Sequence, residues 1–74
     1  MDKARAAKSL IALCEKSLQE NEYNTRKIKG VSCSHSDVET IELYALTFLR
    51  TGSFDSLMKP RCEVEAVLRK VGLL

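Results

Sequence analysis

Apolar residues Ala7, Leu10, Ile11, Cys14 and Leu18 recur at intervals of three and four along the first twenty positions, the repeat that lays one face along a helix. Lys3, Arg5, Lys8, Glu15, Lys16 and Gln19 fall largely off that face, and Ala4, Ala6, Ala7 and Ala12 raise helix propensity. The spacing predicts a helix over 2–20, with Asp2 in its first turn, where a carboxylate complements the positive end of the dipole. A second pattern predicts a helix over 37–51. Its apolar positions, Val38, Ile41, Leu43, Tyr44, Ala45, Leu46, Phe48 and Leu49, cover more than one face. Such a helix is either central in the core or keeps an apolar side for an interface. Ser36-Asp37-Val38-Glu39 reads as a capping box at its start, and Gly52 as its C-terminal stop.

A third stripe, Val64, Val67, Leu68 and Val71, predicts a helix starting near Pro60, a residue well tolerated in a first turn. Arg69 and Lys70 suit its last turn, Gly72 reads as its stop, and Leu73 and Leu74 either fold back or hang free. Ser53 can cap a short turn through Met58. Residues 21–35 are different: Asn21, Asn24, Gly30 and Ser34 break helix, Thr25 to Lys29 suit a short strand, and Ile28 and Val31 can tack the segment to the core. A connection of that length is long for a compact domain. The fold expected is all-α: one domain over 1–74, a small bundle of three helices (four if 53–59 coils), with a long basic loop between helices 1 and 2.

Composition narrows the class. Seventy-four residues bury only about 60% of their unfolded surface, so stability is marginal and a partner or second copy is welcome. With two Phe, two Tyr and no Trp, the core must be aliphatic. The net charge of +2 is too balanced to announce nucleic acid, but it is uneven. Residues 1–35 carry seven Lys/Arg against four Asp/Glu, and residues 36–74 carry five against six. Cys14, Cys33 and Cys62 make an odd count, unlike a secreted disulfide scaffold, and fit a reducing, cytoplasmic setting. No apolar run approaches the roughly 20 residues needed to cross a bilayer, and no signal-type core opens the chain, so no membrane role is expected.

Candidate chemistry is sparse. His35 and Cys33 lie two apart in a loop without an orienting third group, which a Cys–His nucleophile requires. The same two residues give a metal half its ligands, at a spacing unlike zinc motifs. Glu39 and Glu42, or Glu63 and Glu65, make poor carboxylate pairs. Neither an enzyme nor a metal or cofactor site is expected. The stretch from Glu42 to Val71 has the outline of a helix-turn-helix, and Phe48-Leu49-Arg50-Thr51-Gly52-Ser53-Phe54 resembles the start of the turn in bacterial winged-helix regulators. That resemblance implies DNA contact by the start of the last helix, where Glu63 and Glu65 would repel phosphate and only Lys59 and Arg61 would help. Basic residues elsewhere, Lys3, Arg5, Lys8, Arg26, Lys27 and Lys29, suit phosphate contacts, with Tyr23 as a single stacking aromatic.

The reading that absorbs most of these features is a non-enzymatic regulatory or interaction protein. It would bind a protein partner through an apolar face of helix 2. Whichever of Leu43, Tyr44 and Leu46 stays outside the core would anchor the contact, Arg50, Arg26, Lys27 and Lys29 would form a basic rim, and a homodimer is an open alternative. A nucleic-acid-binding regulator is the second expectation.

Overall fold

In a computed structural model, which describes residues 2–20 and 26–74, the chain forms α1 (Lys3–Gln19), β1 (Arg26–Ile28), β2 (Val31–Cys33), α2 (His35–Thr51) and α3 (Cys62–Lys70). The fold is mostly helical, with a small antiparallel hairpin that corrects the all-α expectation. Ile28 pairs with Val31, Lys27 with Ser32 and Arg26 with Cys33. Lys29 and Gly30 both carry positive φ, 52° and 82°, which a two-residue type I′ hairpin turn requires at its two central positions. The basic loop expected between the first two helices is therefore largely this hairpin. Ser34 and His35 belong to the start of α2, and residues 21–25, including Tyr23, lie outside the described residues.

Helix boundaries follow their caps. Asp2 stands just outside the first turn of α1 as its N-cap, its carboxylate accepting from the Ala4 N–H at 3.0 Å. At α2 the capping box lies two residues earlier than Ser36 and Glu39 would place it. Ser34 Oγ accepts from the Asp37 N–H at 3.1 Å, and Asp37 Oδ2 accepts from the Ser34 N–H at 3.3 Å. Gly52, at φ 76°, ends α2 in the left-handed conformation. Thr51 and Ser53 hold the exit through hydroxyl–backbone bonds. No fourth helix forms over 53–59. Leu57 N–H closes a turn on the Phe54 carbonyl, and the residue before Pro60 is biased toward extended backbone. α3 accordingly begins at Cys62, two residues after the proline. Its end is a Schellman motif: Gly72 N–H reaches the Arg69 carbonyl and Leu73 N–H the Leu68 carbonyl. Leu73 is thereby buried, and Leu74 stays half-exposed.

The core is aliphatic. Ala7, Leu10 and Cys14 of α1 meet Val38, Ile41 and Ala45 of α2 and Val64, Val67 and Leu68 of α3, and the hairpin closes one side with Ile28 and Cys33. Phe54, from the segment after α2, lies against the rings of Tyr44 and Phe48 at centroid distances of 5.5 and 5.4 Å. Among the described residues no helix is long and apolar enough to cross a membrane.

Candidate functional site

The inner side of α2 is spent on the core, and its outer side is not. Leu43 and Leu46 are 52% and 48% exposed, an unusual fraction for two leucines in the middle of a helix that packs against both other helices. Tyr44, one of the three expected anchors, is buried instead. Its hydroxyl donates to the Met58 carbonyl, and burial pushes its phenol pKa up. That bond fastens the chain segment after α2 alongside the helix. Segment and helix then enclose an open hollow of about 340 Å³, with apolar walls from Leu43, Tyr44, Leu57, Met58 and Pro60. Met58 is 87% exposed at its edge. A second shallow hollow continues from Leu43 past Leu46 and Thr47 to Arg50. Leu43 belongs to both, so the two form one apolar strip.

Charged groups border this strip. Lys59 and Arg61 stand at one end and Arg50 at the other. Arg61 is engaged: its guanidinium lies 3.4 Å from the buried carboxylate of Asp37 and 3.9 Å from Glu63. Such a pair ties the start of α3 to the start of α2, and removing the arginine would leave the Asp37 carboxylate buried with only its capping bond from the Ser34 N–H. Arg50 forms no ion pair with any described residue. Glu39, which the sequence reading assigned to the cap, is exposed on α2, with Oε1 3.0 Å from His35 Nε2.

The remaining expected residues lie elsewhere. Lys29 shares a different hollow with Ala6, Ser9, Lys70 and Val71, and Lys70 Nζ donates to the Lys29 carbonyl at 3.3 Å. Lys27 is exposed on β1; the side chain of Arg26 lies outside the described residues. Lys3, Arg5 and Lys8 are exposed on α1. The hairpin lysines thus do not line the leucine strip, and the candidate nucleic-acid residues divide among three places. The connection between α2 and α3, residues 52–61, is also longer than the three- to four-residue turn of a helix-turn-helix. Leu57, Met58 and Pro60 escaped the sequence reading as site residues. The signal for them was the apolar pair Leu57-Met58 just ahead of Pro60, whose ring biases the preceding residue to extended backbone.

Elsewhere the chemistry is quiet. Cys14 and Cys33 are buried free thiols and Cys62 is exposed. Burial, reinforced by Glu42 and Cys33, pushes the Cys14 pKa up to about 12; burial and then the Asp37 charge raise that of Cys33. Thiols so shifted are protonated at neutral pH and poorly nucleophilic. Among the described residues no three of His, Cys, Asp and Glu are grouped to hold a metal, and no buried side-chain nitrogen or oxygen lacks a hydrogen-bond partner. No protein-family model, no curated protein and no solved structure matches this chain.

Proposed function

We propose that this protein is a non-enzymatic interaction module whose binding surface is the outer side of α2 together with the groove walled by residues 57–60. The observation that carries this reading is the continuous exposed strip Leu46–Leu43–Met58, set beside a Tyr44–Met58 bond that holds the groove wall in place. Apolar side chains clustered on a small domain mark an association site, and burying two leucines and a methionine supplies the favourable free energy for one. The occupant is an apolar helix or extended segment carrying an acidic residue, which Arg50, lacking an ion-pair partner among the described residues, is placed to meet.

A nucleic-acid role has less behind it. Arg61 is already held by two carboxylates, Glu63 and Glu65 occupy the first turn of α3, and the lysines of α1 and the hairpin line no common groove with Lys59. Site-specific photo-crosslinking in cells tests the proposal, with the crosslinker at position 46, at position 58, or at the exposed control position Lys8 on α1. Protein adducts at 46 and 58 but not at 8 support it. Equal adducts at all three, or nucleic-acid adducts alone, overturn it.

A further inference from the structure

We infer that the acidic, apolar occupant of the α2 outer face is a second copy of this chain, joined antiparallel about a two-fold axis; the inference rests on the interaction-module reading above. Four exposed residues of α2 carry it: Glu39, Leu43, Leu46 and Arg50. At 100° per residue they fall within an arc of about 60°, a single narrow stripe along the helix. Their spacing is four, three, four, symmetric about the midpoint between Tyr44 and Ala45.

A two-fold axis through that midpoint, perpendicular to the helix, sets each residue opposite a defined one in the other copy. Leu43 then packs beside the partner's Leu46, and Leu46 beside the partner's Leu43. Glu39 faces the partner's Arg50, and Arg50 the partner's Glu39. The stripe is thus self-complementary in shape and in charge, as a surface patch must be to close a two-fold contact on itself. A parallel pairing would instead set Glu39 on Glu39 and Arg50 on Arg50.

Two structural facts leave these charges available. The cap of α2 is made by Ser34 and Asp37, so Glu39 is not consumed at the helix start; Glu39 and His35 meet through Oε1, which leaves Oε2 for an incoming guanidinium. Arg50 has no ion-pair partner among the described residues. The 57–60 segments flank one common side of the helix pair, so each Met58 extends the apolar strip at its edge. One helix pair with a methionine border is smaller than the roughly 800 Å² per partner of a standard interface, so association is expected at micromolar concentration.

Sedimentation equilibrium of the purified full chain, from about 1 µM to about 500 µM at low salt, tests this. The expected result is a mass rising from that of the 8.3 kDa chain toward twice that value. Glu39→Arg and Arg50→Glu should each weaken association at least about tenfold, because like charges then face each other at both ends of the pair. The double exchange should restore it. Mixing the two single variants should also restore it, since that heterodimer is complementary at both ends. All changes are at exposed positions, and circular dichroism confirms that the variants remain folded. A wild-type chain monomeric throughout, or exchanges that change nothing, overturns the inference. If the chain is monomeric while position 46 still crosslinks a different protein, self-association fails and the interaction face survives; if position 46 captures nothing, both fall.

Discussion

Ile41 and Leu46 stand five residues apart on the same helix, yet Ile41 is fully buried and Leu46 is 48% exposed. Ile41 belongs, with residues of α1 and α3, to the one cluster that holds the domain together. Leu46 opens onto a shallow hollow beside Arg50. The residues are near-identical in apolar character, so the difference lies in what covers them. One side of α2 makes the fold; the other side stays outside the core. Substitutions on the two sides should separate these roles, and the expected effects descend from the first to the second.

The largest effect is on the inner side. Ile41→Ala should lower unfolding free energy by about 2–5 kcal/mol, read from urea denaturation followed by circular dichroism, because it removes buried methyl groups and leaves a cavity. In a domain this small, that loss approaches the whole margin of stability. The inner side should also be alkali-sensitive. The folded pKa of Cys14 is about 12, above its ordinary value of 9.0, so above about pH 9 the unfolded chain releases a proton that the folded chain retains. Stability is therefore fully present below pH 9 and declines between pH 9 and 12, by up to about 1.4 kcal/mol per pH unit for this one group. Cys14→Ala should make the decline shallower; an unchanged slope would show that the thiol is not the titrating group.

A smaller effect separates the two capping registers at the start of α2. Ser34→Ala should cost about 1 kcal/mol, whereas Ser36→Ala should change stability by only a few tenths, in the same denaturation experiment. The reverse order would restore the register read from the sequence and return Glu39 to the cap. The smallest effect is on the outer side: Leu46→Ser should shift unfolding free energy by no more than about 0.5 kcal/mol. A loss comparable to that of Ile41→Ala would mean that Leu46 is part of the core and not of a binding face.

Much of the helical frame was legible in the chain, because Leu10, Ile41 and Val67 each sit in a clear helical repeat and Gly52 and Gly72 end what precedes them. Ser34-x-x-Asp37 and Ser36-x-x-Glu39 are both acceptable boxes, and local rules favour glutamate at the third position. Tertiary structure supports the earlier register: the Asp37 carboxylate that closes the box also meets the Arg61 guanidinium, far along the chain. The hairpin was seen only as a short strand, because Lys29 stands at a left-handed position where Asn or Gly would have signalled a type I′ turn. The surplus apolar side of α2 was visible in the sequence. Which of its residues would face out was not, since Tyr44 goes inside against Phe54, with its hydroxyl bonded to a backbone carbonyl, both in a segment without regular structure.

That bond carries an evolutionary consequence. The fold grips position 58 by its carbonyl oxygen, an atom every amino acid possesses, while the methionine side chain points into solvent. Folding therefore exerts almost no selection on the identity of residue 58, and in descendants of this chain it should drift toward polar residues unless something outside the molecule uses it. Persistence of a large apolar side chain at 58, alongside apolar residues at 43 and 46, would be the genetic footprint of a binding partner; free drift at 58 with 43 and 46 retained would confine that footprint to the helix alone.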